Sequence, residues 1–143
     1  MSETYVVGYD GTKAAQRAVK FAAARAKASG AKIHLVYVLE WSPYAFLTPQ
    51  ELDERHKRRE EELSRAEATL KPVADDLKTK GIDTVCEARH GHAGELLCEI
   101  AGKLKAQQIV IGRTGSSTIT ARLMGSLVLS LVQASPVPVT VVP

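Results

Sequence analysis

A short apolar run that ends in a glycine loop constrains the fold of this chain more than any other feature. Ile109 to Gly112 reads Ile-Val-Ile-Gly, and Gly115 follows shortly after. The pair Gly125-Ser126 then opens an apolar segment with helical periodicity. This order predicts a strand, a glycine loop and a helix. At the carboxyl end of a strand in an open α/β sheet, such a loop lets backbone N–H groups approach a phosphate.

The glycine spacing, G-x2-G-x9-G-S, differs from two common phosphate-binding motifs. No Gly-Lys-Ser/Thr follows the glycines, as a Walker A loop requires, and the spacing is not G-x-G-x-x-G. Taken alone, the spacing leaves two interpretations open. One is a phosphate-binding loop, and the other is a set of ordinary turn glycines followed by a helix cap.

Short β-branched runs alternate with helical patterns along the chain. Thr12 is predicted as a helix N-cap, Ser29-Gly30 as a helix stop, and Pro49 as the first residue of another helix. Five strands alternating with helices predict one α/β domain with a doubly wound parallel sheet. The strands are predicted at Thr4–Tyr9, Ile33–Leu39, Thr84–Arg89, Ile109–Gly112 and Val137–Val142.

Composition argues against nucleic acid and membrane partners. The net charge of the 143 residues is only +3, and aromatic residues make up 5% of the chain, so neither a basic face nor a base-stacking platform is implied. The segment from Leu123 to Pro143 carries no charge. Its glycine, serines and prolines favour a helix followed by a buried strand over a membrane span.

The N-terminus and the cysteines predict a cytoplasmic protein. No basic region with a hydrophobic stretch of signal type begins the sequence, and Cys86 and Cys98 lack the spacing of a redox or zinc motif. His90 and His92 are a weak metal candidate because no third ligand stands at a defined spacing. A loop leading into a helix explains these histidines better.

The glycine motif, its I-V-x-G strand and the final Pro-Val-Pro-Val-Thr-Val-Val run resemble the nucleotide-binding signature of the universal stress protein family. The start of the chain is similar as well, because Val6 to Thr12 resembles that family's first strand and its D-G-S/T loop. The likeness extends over residues 1–143 and is to the UspA-like, ATP-binding subgroup. It implies a Rossmann-like sheet in the order 3-2-1-4-5, of the kind found in adenine nucleotide alpha hydrolases.

The resemblance implies ATP, with Mg²⁺, in the crevice between the first and fourth strands. Asp10 would bind the ribose or base, the backbone at Val38 would meet adenine, and Gly112 would approach the ribose and first phosphates. The outer phosphates would lie near Gly125 and Ser126. The full set of implied binding residues is Gly8, Tyr9, Asp10, Thr12, Val38, Ile111, Gly112, Arg113, Gly115, Gly125, Ser126, Leu127 and Val128.

No catalytic residue is identified in the sequence. Phosphoryl transfer needs metal ligands and a positioned nucleophile, and Asp10 is the only carboxylate that we can place in the crevice. We therefore expect a stress-response protein that binds ATP and whose choice of an unknown protein partner changes with nucleotide occupancy. The alternatives are a dimeric interaction module without nucleotide and a slow ATPase or autophosphorylating protein.

The last strand predicts an assembly. As the fifth strand in the implied order it is a sheet edge, and an uncharged apolar edge tends to pair with another chain unless something covers it. The family resemblance implies that this strand meets its two-fold mate. We therefore expect a homodimer through the C-terminal strand.

Overall fold

A computed structural model describes residues 3–40, 48–113 and 126–143. The predicted site residues Gly115 and Gly125 lie outside these ranges. Strands and helices alternate along the described chain, as the sequence pattern predicts. The elements are β1 (Thr4–Gly8), α1 (Lys13–Ser29), β2 (Lys32–Glu40), α2 (Pro49–Thr79), β3 (Thr84–Gly91), α3 (Ala93–Leu104), β4 (Gln108–Gly112), α4 (Ser126–Ala134) and β5 (Val139–Val142).

The five strands form one parallel sheet in the order β3-β2-β1-β4-β5, which confirms the predicted topology. In the central strand β1, Val6 pairs with His34 of β2 on one side and with Ile109 of β4 on the other. The chain leaves β1 toward β2 and approaches it again as β4. The topological switch point of the sheet therefore lies between β1 and β4.

Helices cover both faces of the sheet. Alternate residues of a strand point to opposite faces, so Val7 packs with α1 and α2 while Val6 packs with α3 and α4. Both valines are 0% exposed. The continuous apolar sequences of β1 and β4 follow from this double coverage, as expected for parallel strands.

The helix boundaries follow local sequence signals. The Thr12 side chain accepts a hydrogen bond from the Ala15 N–H (3.2 Å), and α1 ends before Gly30, whose φ of 77° suits glycine. Thr48 and Glu51 form a capping box at the start of α2, with Pro49 as the first helical residue. These contacts confirm the predicted N-cap, helix stop and helix start.

Strands β2 and β3 are longer than the sequence predicts. The prediction ended β3 at Arg89, but pairing continues from Leu39 with His90 to Glu40 with Gly91. This extension brings Glu40 to the carboxyl edge of the sheet, next to the start of α3.

Within the described part of the uncharged C-terminal segment, residues 126–143, lie the helix α4 and the strand β5, in the predicted order. Within the described ranges, no helix has both the length and the apolar character needed to cross a membrane.

Candidate functional site

A cavity of about 220 Å³ opens at the carboxyl ends of β1, β2 and β4, at the switch point of the sheet. The first turns of three helices also reach it, through Thr12 and Ala15 of the α1 start, Ala93 of α3 and Leu127 of α4. Its lining residues are Gly8, Tyr9, Asp10, Thr12, Ala15, Val36, Val38, Glu40, Ala93, Leu97, Ile111, Gly112 and Leu127.

The loop between β1 and α1 fixes one carboxylate at the cavity. Asp10 Oδ1 accepts hydrogen bonds from the Thr12 N–H (3.1 Å) and from the Thr12 hydroxyl (2.6 Å). Gly11 between them has a φ of 81°, a conformation that glycine adopts without strain. The Asp10 carboxylate is therefore held at the N-terminus of α1, where the helix dipole stabilises a negative charge.

Tyr9 connects this cavity to the core beneath α1 and α2. The side chain is 7% exposed, and its backbone N–H donates to the Val36 carbonyl at 2.9 Å. Burial raises the pKa of the Tyr9 phenol above its ordinary value of 10.0, and the negative charge of Asp10 raises it further, while a hydrogen bond from Gln16 opposes these effects. Tyr9 is therefore a neutral, packed residue on the wall of the cavity.

Gly112 ends β4 directly against the first turn of α1. A Cβ atom at this position would lie within 3.1 Å of three Ala14 backbone atoms. The absence of a side chain lets α1 pack closely over β4. By contrast, a Cβ atom at Gly8 would meet only side chains, Ile111 Cγ2 at 3.3 Å and Leu97 Cδ1 at 3.5 Å.

A second carboxylate, that of Glu40, lies on the cavity wall. The sequence interpretation placed only Asp10 in the crevice, and this was wrong because the pairing of β2 with β3 extends to Glu40. Glu40 Oε1 accepts a hydrogen bond from the Ala93 N–H at 3.1 Å, and Oε2 lies 3.5 Å from His92 Nδ1. The carboxylate thus connects the end of β2 to the start of α3.

The structure brings many of the predicted binding residues together at one cavity and places others beside it. Arg113 does not line the cavity; its N–H donates to the Val142 carbonyl (2.8 Å), and its own carbonyl accepts from Arg17 Nη2 (3.2 Å). Val128 packs against the core beneath α3 and α4, and Ser126 is the first residue of α4. The predicted residues on the wall are Gly8, Tyr9, Asp10, Thr12, Val38, Ile111, Gly112 and Leu127.

Five lining residues were not predicted, and sequence signals existed for some of them. Val36 shares a strand face with Val38, since alternate residues of β2 point the same way. The first turn of α3 follows β3 directly, so Ala93 must lie at the same edge of the sheet. The residues missed are Ala15, Val36, Glu40, Ala93 and Leu97.

The described residues include no group of three or more His, Cys, Asp or Glu side chains that could hold a metal ion. His90 and His92 instead face different carboxylates. His90 Nε2 lies 3.6 Å from Glu62 Oε2, and His92 pairs with Glu40.

Comparisons with known proteins agree with this architecture. Residues 1–143 match the sequence model of the universal stress protein family. A Thermus aquaticus protein, "Universal stress protein in QAH/OAS sulfhydrylase 3'region", is 33% identical over 143 residues, covering 99% of both chains.

Solved structures share the fold. UspA from Lactobacillus plantarum superimposes with a TM-score of 0.84 at 22% identity, covering 99% of this chain and 97% of that one. A universal stress protein crystallised in complex with cAMP superimposes with a TM-score of 0.69 at 30% identity, covering 99% and 96% of the two chains.

Proposed function

Because the chain belongs to the universal stress protein family, we propose that it binds ATP at the switch-point cavity and acts in the cytoplasm as a nucleotide-dependent stress-response or signalling protein. One observation carries the proposal. Asp10, in the loop after β1, and Gly112, the last residue of β4, are distant in sequence but line a single cavity at the carboxyl ends of these strands. Open α/β sheets bind their ligands at such a place.

The walls of the cavity suit a nucleoside. Val36, Val38, Leu97 and Ile111 provide apolar surface for a flat base, and the backbone at Val38 offers hydrogen bonds at its edge. Asp10 accepts hydrogen bonds and so suits the ribose hydroxyls. Since drug-sized ligands usually occupy about 300–1,000 Å³, this smaller cavity would enclose only part of a nucleotide.

The phosphates belong at the start of α4. Leu127 in the first turn of this helix lines the cavity, and that turn carries no acidic residue. A helix N-terminus offers free N–H groups and a favourable dipole to an anion. The universal stress protein solved with cAMP, an adenine nucleotide, supports the choice of base.

Titration calorimetry with ATP and Mg²⁺ tests the proposal. Valine at Gly115 or Gly125 should abolish binding, because a side chain would block approach of the backbone to the phosphates. Gly102→Val is the matched control, since Gly102 lies on α3 outside the cavity. Wild-type protein that shows neither heat nor a thermal shift with millimolar ATP would refute nucleotide binding.

We expect little turnover. Both carboxylates on the cavity wall hold neighbouring backbone in place, Asp10 through Thr12 and Glu40 through Ala93, so we assign them to positioning and recognition rather than to base catalysis. Hydrolysis should fall below the roughly 1–1,000 per second that is typical of enzymes. Phosphate release above about one per second, lost in Asp10→Asn, would instead indicate an ATPase.

We also propose that the protein is a homodimer through β5, which would present nucleotide-dependent surfaces to a protein partner. β5 is an edge of the sheet, and Val132 on α4 is 60% exposed. Exposed apolar surface beside an unpaired strand edge favours association. A dimer that binds no ATP would identify the protein as the alternative, an interaction module of the same family.

A further inference from the structure

Glu40 supplies a helix cap from a distant part of the chain. Its Oε1 accepts a hydrogen bond from Ala93 N–H, the first residue of α3, at 3.1 Å. The residue at the N-cap position of α3 is His92, which makes no side-chain capping hydrogen bond. The Glu40 carboxylate therefore satisfies one of the free N–H groups at the start of α3 in place of an N-cap side chain, and it brings a full negative charge to the helix N-terminus.

This capped terminus opens onto the proposed nucleotide cavity. Ala93 and Leu97 of α3 line the cavity together with Glu40 itself. The first turn of α4 reaches the same cavity at Leu127, but it contains no acidic residue. The two helix termini on this face of the sheet thus differ in charge: Glu40 caps α3, whose first turn also carries Glu95, and the first turn of α4 has no acidic residue.

We propose that Glu40 is a selectivity residue that sets the direction in which an anionic ligand can enter the cavity. The carboxylate accepts from one of the N–H groups that a phosphate could use at α3 and repels the negative charge of that phosphate. A nucleotide can then place its phosphates at α4 but not at α3. The statement about nucleotides rests on the proposed function, whereas the exclusion of phosphate from α3 does not.

Glu40 also stabilises α3 as a cap, so the test must separate the two roles. Glu40→Gln keeps an oxygen that can accept from the Ala93 N–H but removes the charge. Glu40→Ala removes both. If Glu40 served only as a cap, Glu40→Gln, which keeps the hydrogen bond to Ala93, would gain no affinity for anions.

The experiment is a titration of ¹⁵N-labelled protein with inorganic phosphate, followed by NMR at the Ala93 amide. In the wild type this amide should not respond. In Glu40→Ala it should shift saturably, with an affinity at least about tenfold above that of the wild type, because the Ala93 N–H is freed and the repulsion by the Glu40 charge is removed, while Glu95 in the first turn of α3 is unchanged. Glu40→Gln should respond to an intermediate extent.

The matched control is Glu99→Ala, which removes the same charge from α3 itself. Glu99 lies on the side of the helix that pairs with Lys103 (3.1 Å) and does not line the cavity. In Glu99→Ala the Ala93 amide should respond to phosphate as it does in the wild type. Thermal unfolding of each variant confirms that the comparison is made between folded proteins, and Glu40→Gln decides the matter if Glu40→Ala does not fold.

The inference is overturned if phosphate moves the wild-type Ala93 amide as strongly as that of Glu40→Ala, or if neither Glu40 variant gains a response. A gain in Glu99→Ala equal to that in Glu40→Ala would also overturn it, since net charge alone would then be the cause. Failure of the wild type to bind ATP would refute the proposed function and leave the phosphate result at α3 standing.

Discussion

The backbone of Ala14 lies where a side chain at Gly112 would have to stand: a Cβ atom there would lie 2.4 Å from the Ala14 carbonyl carbon. Real Cβ atoms essentially never come within 3.0 Å of a heavy atom outside their own residue and its chain neighbours. The first glycine of the G-x2-G-x9-G-S motif is therefore required by the packing of α1 on β4. The presence of Gly112 alone is therefore not evidence that a ligand binds there.

We predict that Gly112→Ala destabilises the protein even without nucleotide. The clash is with backbone, which cannot rotate away, so the cost should reach the upper end of the usual overpacking penalty, about 3 kcal/mol. For a domain of this size the melting temperature should fall by about 10 °C. Thermal unfolding, monitored by circular dichroism, measures this fall in melting temperature.

Gly102→Ala is the control for this variant. Gly102 is an exposed residue inside α3, and its added Cβ would meet nothing closer than Pro136 Cγ at 3.7 Å. Because alanine is favoured over glycine within a helix by about 1 kcal/mol, stability should stay level or rise. Equal melting temperatures for Gly112→Ala and the wild type would contradict the packing explanation.

Much of the fold could be predicted because it depends on local signals. Apolar runs gave the strands, and Thr12 and Pro49 marked helix starts that the structure confirms. The role of Glu40 could not be predicted in this way. Its contact with Ala93 joins residues 53 positions apart and depends on how far β2 pairs with β3. Gly112 was placed correctly at the end of its strand, but its contact with α1 depends on helix packing that no spacing reveals.

We predict that Tyr9 ionises above the ordinary tyrosine pKa. Burial is the main cause, and the Asp10 charge is the second. Since the raised pKa favours the neutral phenol in the folded state, the stabilising contribution is complete below about pH 10 and is lost as the pH rises through the folded-state value. A phenolate absorbance titration, with Tyr9→Phe to identify the step, measures the pKa.

Asp10→Asn should lower the Tyr9 pKa without returning it to 10.0, because burial remains when the charge is removed. An asparagine oxygen can still accept from Thr12, so the loop should keep its conformation. A Tyr9 step that coincides with that of the urea-unfolded protein would contradict the prediction.

We predict that Arg17 holds the ends of β4 and β5 together. Its Nε donates to the Pro143 carbonyl oxygen and its Nη2 to the Arg113 carbonyl oxygen, each at 3.2 Å. In Arg17→Ala, hydrogen exchange of the Arg113 amide, which donates to Val142, should accelerate. The loss of stability should be about 1 kcal/mol, since the contacts are exposed.

Arg17→Lys should behave like the alanine variant, because a single ammonium group cannot reproduce the planar fork of arginine. Arg25→Ala is the control on the same helix; the Arg25 guanidinium carbon lies 5.1 Å from the Phe21 ring centroid, and its loss should leave the Arg113 amide unchanged. Unaltered exchange in Arg17→Ala would show that β5 is held without this residue.

The last prediction concerns the proposed dimer. Val141 lies on β5 at the sheet edge, partly buried against the core beneath α3 and α4, and the exposed Val132 belongs to the neighbouring helix α4. In a two-fold interface each substitution occurs twice, so Val141→Asp would bury two unpaired charges. Light scattering should show a dimeric wild type and a monomeric Val141→Asp. Val132→Asp should also weaken the dimer while sparing the core, because its side chain is already exposed.

Val85→Asp is the matched control, since Val85 is a 55% exposed valine on the opposite edge strand, β3, and this variant should remain dimeric. A wild type that is monomeric at tens of micromolar, or dimers that persist in both Val141→Asp and Val132→Asp, would show that the β5 edge is not the contact between subunits.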